Sequence, residues 1–187
     1  MQERIIIEAG TMFSRYGTRS VTMDALAMDM GISKRTIYEH FRDKDTLLLE
    51  VIKYFKRQHL SDMKKIMRES DNIIEAFFTL LKRNINNMKR VNPAFFNDIK
   101  KYHPNVHTDI MEKSDIRDYT ITREFLERCF FEEVFDDSHN LEIVNETLHE
   151  LFNLFSPECH LTQSDYTRKE LFDNIILPYF RGLATEK

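Results

Sequence analysis

Residues 33–40 read Ser-Lys-Arg-Thr-Ile-Tyr-Glu-His, a run that can donate or accept hydrogen bonds at almost every position and holds one aliphatic side chain. On a helical wheel of about 100° per residue, with Ile37 as origin, Phe41 falls near ~40°, Arg35 near ~160°, Glu39 near ~200° and Thr36 near ~260°. Ile37 and Phe41 make the anchoring side. Arg35, Glu39 and Thr36 face away from it, flanked by Tyr38 and His40. A guanidinium pairs bidentately with guanine, and a threonine can bond a base edge or touch a thymine methyl. Hydroxyls, ring N–H groups, cations and helix N-termini suit phosphates. The spacing therefore predicts a helix offered to the major groove, with Arg35 and Thr36 on bases and Ser33, Thr22, Tyr38 and His40 on phosphates. Lys44, opening the next helix, adds positive charge to a helix N-terminus. Taken singly, Lys34, Arg35 and Lys44 read as solvated cations and Tyr38 as cover for apolar surface. The DNA reading rests on the combination and its spacing.

The elements that must position these groups are short and strongly punctuated. Ile5, Ala9 and Phe13 recur at i, i+4 and i+8 in a first helix over residues 2–16, which Gly17 ends. Thr22 is the expected N-cap of a second helix, with Val21 and Leu26 at the two ends of a hydrophobic staple, and Gly31 is its expected left-handed stop. Ile32 and Ser33 repeat that grammar with Ile37 in the staple position. Asp43 is the expected cap of a long fourth helix whose stripe Leu47, Leu48, Val51, Ile52 and Phe55 runs on through Met63 and Met67. Further helices are expected over 72–91, 93–102, 106–136 (broken or irregular near Asp115), 141–155 and 164–183, the last kinked or locally loosened at Pro178.

With only four Gly and four Pro among 187 residues, turns are scarce and the fold class expected is all-α. Two cysteines with no C-x-x-C spacing argue against a disulfide framework or thiolate metal site. No basic leader or long apolar run stands out, so a soluble cytoplasmic protein is expected, with no membrane partner. The net charge of −4 hides an asymmetry: residues 1–60 hold ten Lys and Arg against eight Asp and Glu, the remainder seventeen against twenty-three. The front of the chain is the basic part. No enzyme is expected, nor any cofactor or metal. Glu146 and His149 have the Glu-x-x-His spacing of di-iron bundles but lack the second copy and further carboxylates such a site needs. Neither a Walker loop, nor G-x-S-x-G, nor H-E-x-x-H occurs.

The stretch GTRSVTMDALAMDMGISKRTIYEHFRDKDTLL, within about the first 55 residues, resembles the N-terminal domain of the tetracycline-repressor (TetR) family of bacterial transcription regulators. The resemblance implies a three-helix helix-turn-helix head that binds operator DNA as a homodimer. It places the family's DNA contacts at Thr22, Ser33, Lys34, Arg35, Thr36, Tyr38, His40 and Lys44. Glu39 occupies a variable outward position, where an acid can accept from cytosine or repel phosphate. The division expected is a DNA-binding domain over 1–45 and an effector-binding and dimerisation domain over 46–187, about nine helices in all.

The resemblance also implies that the last two helices form a four-helix interface with a second copy. Leu148, Phe152, Phe155, Phe172, Ile176 and Tyr179 are the candidates, on helices with more apolar surface than one buried face needs. Fifteen Phe and nine Met suit the walls of a pocket for an apolar small molecule. Met63, Met67, Phe77, Phe78, Leu81, Met88, Phe95, Phe96, Tyr119 and Phe125 are the candidate lining, although taken one by one each reads first as ordinary core; Asn97, His103 and His107 are the candidate polar contacts. The function expected is a homodimeric repressor released from operator DNA by a small, largely apolar ligand. The alternative is a ligand-independent DNA-bound adaptor that recruits a protein partner.

Overall fold

The computed structural model describes residues 1–92, 94–112, 120–153 and 166–185, with side chains except at 81, 84, 85, 88, 89, 152, 153 and 168. Every regular element among them is helical: α1 Gln2–Tyr16, α2 Met23–Met30, α3 Lys34–His40, α4 Lys44–Glu69, α5 Ile73–Arg90, α6 Ala94–Tyr102, α7 Pro104–Glu112, α8 Thr120–Phe131 and α9 Leu141–Asn153. The final helix, α10, joins Arg168–Leu171, a π-helical Phe172–Ile176 and Leu177–Leu183.

Local chemistry sets most of the boundaries. Gly17 ends α1 at φ 81° and ψ 155°, a conformation open to glycine. The Thr22 hydroxyl accepts from the Ala25 amide at 3.0 Å, and the Ser33 hydroxyl from the Thr36 amide at 3.0 Å, so both short helices carry the expected caps. Between them Gly31 sits left-handed at φ 64°, its N–H and that of Ile32 closing on the carbonyls of Met28 and Ala27. Asp43 accepts from both the amide and the hydroxyl of Thr46, at 2.8 and 2.7 Å, which with Arg42 holds its carboxyl down at about 2. At α5, Asn72 accepts from the Glu75 amide while the Glu75 carboxylate reaches back to the Asp71 amide.

Two expected boundaries move. The 106–136 helix, expected to be broken or irregular near Asp115, is described as α7 and α8, with 113–119 outside the described residues; α7 begins at Pro104, and α8 stops at Phe131 because Glu133 turns left-handed at φ 55°. The Val134 amide then folds back onto the Cys129 carbonyl. Pro178 is preceded by the π-helical turn, whose register shift accommodates a residue that has no N–H to give.

The chain groups into two compact units, Met1–Lys64 with Leu80–Asp118, and Lys65–Thr79 with Tyr119–Lys187. The expected 1–45 head lies wholly within the first; α4 and α5 contribute to both. The first unit's core is built from Ile5, Ala9, Phe13, Leu26, Ile37, Phe41, Leu47, Leu48 and Val51, with Ile99 of α6 and Val106 of α7 packed on it. In the second, Ile73, Ala76, Leu126, Leu148 and Ile176 are buried.

Candidate nucleic-acid interface

The outer side of α3 is open and polar because its inner side is fully committed. Ile37 and Phe41 are 0% and 1% exposed, so the helix has one way to lie on the core. That leaves the Arg35 side chain 88% exposed, its Nε donating to the Glu39 carboxylate at 3.1 Å. An exposed i, i+4 pair of this kind contributes about 0.3–0.5 kcal/mol, so Arg35 exchanges Glu39 for another acceptor at little cost.

Its neighbours divide between presentation and scaffolding. Tyr38 is 44% exposed and His40 exposed, on the two flanks. Lys34 donates to Asp24 of α2 at 2.7 Å, a bond that raises its pKa and ties the two helices across the turn. Ser33 and Thr36 share a hydroxyl–hydroxyl hydrogen bond of 2.9 Å, and Thr22 is engaged in its cap. The exposed Thr22 and Ser33 hydroxyls each mark a helix N-terminus, where backbone N–H groups favour an anion.

Lys44 differs from the expectation of a cation held out to solvent. It is half-buried, its ammonium donating to the Thr18 carbonyl and lying 5.7 Å from the Phe13 ring centroid. Burial lowers its pKa, against the opposing pull of Asp45 and Asp98. It therefore pins the turn between α1 and α2 to the start of α4.

That turn is gripped from α6 as well, by residues the sequence did not single out. The Arg19 amide donates to Asp98 at 2.8 Å, the Arg19 guanidinium to the Tyr102 hydroxyl at 3.0 Å, and Asn92 bonds Ser14 and Arg15 carbonyls. His103, expected as a ligand contact, is buried with its Nδ1 paired to Asp45 in the first turn of α4. The expected pocket residues do not all meet. Phe95 packs on the first unit's core, while Phe78 and Phe96 are 60% and 39% exposed. Met63 is half-buried, and Met67 is buried in the second unit. Asn97 is exposed and His107 half-buried. Tyr119 and the side chains of Leu81 and Met88 lie outside the described residues.

Phe77 and Phe125 do come together, in the wall of an apolar cavity of about 180 Å³ within the second unit. Phe135 and Phe180 complete its aromatic side, and the exposed Arg181 is the charged residue of its wall. The Cys129 thiol also lines it; burial pushes its pKa up to about 12, so it stays a neutral, unreactive wall group. Among the interface candidates, Leu148 and Ile176 are 1% exposed, so they support a face instead of forming one. Phe172 and Tyr179 are half-buried, the Tyr179 hydroxyl near the Val144 carbonyl at 3.4 Å. Phe155 and the Phe152 side chain lie outside the described residues.

Glu146 is exposed and His149 half-buried, and no cluster of three metal-ligating side chains occurs among the described residues. Nor is any described helix long and apolar enough to cross a membrane.

Residues 5–51 match the family model described as bacterial regulatory proteins, tetR family. Over its whole length the chain is similar to an uncharacterized HTH-type transcriptional regulator of Bacillus subtilis, YvaF, with 26% identity across 100% of this chain and 97% of the relative. Among solved structures it superposes on a transcriptional regulator from Cytophaga hutchinsonii with TM-score 0.72, 20% identity and 98% of each chain covered. It also superposes on the Thermus thermophilus repressor FadR in complex with lauroyl-CoA, with TM-score 0.63, 18% identity and 100% and 97% of the two chains covered.

Proposed function

We propose, from the premise that the chain belongs to the tetR family of bacterial transcriptional regulators, that it is a homodimeric repressor released from its operator by a small, largely apolar ligand. The observation that carries the DNA half is the outer face of α3. Arg35 and Glu39 stand open on a helix fixed from behind by Ile37 and Phe41. Residues 1–45 are the reading head, and 46–187 serve effector binding and dimerisation.

In this reading Arg35 and Thr36 contact bases. Lys34, Tyr38, His40 and the capped N-termini at Thr22 and Ser33 hold phosphates, while Lys44 chiefly keeps the head's turn in place. A dimer sets two copies of α3 into successive major grooves about 34–36 Å apart. A ligand that prefers a different separation of the heads shifts the population off DNA. The apolar cavity beside Phe77 and Phe125 supports the ligand half.

The test is binding to duplexes selected from a random pool, at several salt concentrations. Affinity should fall steeply with salt as phosphate contacts release counterions. Arg35→Ala should lose about 1–3 kcal/mol of discrimination at one base pair while leaving non-specific binding largely intact. Unchanged discrimination in that variant would remove Arg35 as a base reader.

A further inference from the structure

A four-bonded junction and a cavity share a residue in the second unit. From α8, the Arg128 guanidinium donates through Nη1 to the Met67 carbonyl and through Nη2 to the Ser70 carbonyl at 3.2 Å, where α4 ends. Its Nε donates to Glu132, four residues on and just past the end of α8, and the other Glu132 oxygen accepts from the Ile73 amide at 2.7 Å, where α5 begins. The pair thus satisfies the orphan carbonyls of one helix end and an orphan N–H of the next. Ile73 belongs to both features: its amide is in this clamp, and its side chain, 1% exposed, is in the cavity wall. Cys129, adjoining Arg128 in sequence, lines the cavity too.

The recess's size and lining select its occupant. An apolar space of about 150 Å³ already accepts benzene; this one holds about 180 Å³ and opens to solvent past the exposed Ile74, Arg181 and Ala184. Its rings meet at angles, Phe77 to Phe180 with centroids 5.0 Å apart and interplanar angle 52°, Phe77 to Phe125 at 5.9 Å and 37°. Tilted and edge-on partners suit another aromatic ring. A twelve-carbon acyl chain is far larger than a single ring.

We infer that this cavity takes a one-ring apolar molecule, and that the Arg128–Glu132 clamp passes its occupancy to α4. This rests on the ligand-released reading above. A ring entering the cavity presses on Ile73, whose amide is bonded to Glu132, so the carboxylate, the guanidinium and the two carbonyls at the end of α4 must adjust together. α4 is one continuous 26-residue helix that begins beside the reading head at Lys44.

The experiment titrates the full-length wild type, Ala184→Phe and Glu132→Gln with ethylbenzene and with laurate, reading thermal stability and binding to the selected duplex. Ethylbenzene should raise the melting temperature of the wild type by several degrees and weaken its DNA binding at least tenfold, and laurate should do neither. Ala184→Phe, which places a ring in the cavity wall at an exposed site, should bind DNA and ignore ethylbenzene. Glu132→Gln should keep the ethylbenzene-dependent rise in stability and lose most of the DNA response. Phe77→Leu, which enlarges the cavity, provides a second check by shifting preference toward bulkier rings. No stabilisation of the wild type, or an equal effect in Ala184→Phe, overturns the cavity assignment; a wild-type DNA response in Glu132→Gln overturns the clamp. Release by another apolar compound that Ala184→Phe does not block leaves the ligand-released reading standing while this inference fails. Ethylbenzene binding without any change in DNA affinity retains the cavity and removes the coupling.

Discussion

Arg35–Glu39 on α3 and Arg128–Glu132 at the end of α8 are the same two residue types at the same i, i+4 spacing, in opposite surroundings. The first pair has side chains 88% and 58% exposed, and the Arg35 Nε donates to the Glu39 carboxylate out in solvent. The second pair is 27% and 22% exposed and bonds three backbone groups as well as itself. An ion pair in water holds its partners loosely and frees them for a new acceptor. One withdrawn from water, with backbone carbonyls depending on it, cannot be surrendered without leaving polar groups unsatisfied. Spacing makes the pair, while solvent and the surrounding backbone decide whether it recognises or fastens.

The largest effect that tests this contrast is on stability. Arg128→Ala leaves the Met67 and Ser70 carbonyls and the Glu132 carboxylate short of a donor, and should cost about 2–3 kcal/mol in denaturant unfolding. Faster amide exchange should be concentrated at the end of α4 and start of α5. Arg35→Ala should stay within about 0.5 kcal/mol of wild type in the same assay. Equal costs for the two variants would break the distinction.

Within the head, stability resides in turns and caps more than in ion pairs. Gly17→Ala combines a positive φ with a Cβ that would lie 2.7 Å from the Asp98 carboxylate and 3.3 Å from the Ala94 side chain. A cost of about 2 kcal/mol is expected, together with a weakened α1–α6 contact visible as faster exchange of the Arg19 amide. Asp43→Ala removes the α4 cap and should cost about 1 kcal/mol at pH 7. The folded-state pKa of Asp43 is depressed, so the stabilisation is complete above the ordinary aspartate value of 3.8 and fades as pH falls toward about 2. Urea titrations of the two proteins across that window should converge at the acidic end.

These turns and caps are also what the sequence made legible. Thr22, Ser33, Asp43, Gly17 and Gly31 each act within a few residues of themselves, so their types announce their conformations. The anchoring pair Ile37 and Phe41 follows from period alone. What stayed hidden depends on distant partners: the Lys44 ammonium turns to the Thr18 carbonyl, Asp98 takes the Arg19 amide, and His103 takes Asp45. Arg128 and Glu132 went unremarked because their i, i+4 spacing is ordinary, and the carbonyls some 60 residues earlier that give the pair its role leave no mark near them in the sequence. The end of α8 was missed because a left-handed Glu133 has no compositional sign. Composition announced many phenylalanines; which rings converge on one cavity is set by packing.

The smallest effect expected is the most informative about the reading face. Glu39 holds Arg35 in the free protein, and its charge repels phosphate at the same distance from the helix axis. Glu39→Gln keeps the shape, removes the charge and frees the guanidinium, so DNA affinity should rise about twofold to fivefold at low salt, corresponding to under ~1 kcal/mol. The gain should shrink as salt is raised, because both the resting pair and the repulsion are screened within about 10 Å at 0.1 M. If Glu39 instead accepts from a cytosine N4–H₂ group, the same substitution loses discrimination at one C·G pair, with no uniform gain. Measuring Glu39→Gln on the selected duplex and on its single-base variants separates the two. A uniform gain makes the pair a removable guard on Arg35, whereas a loss confined to one position makes Glu39 a reader in its own right.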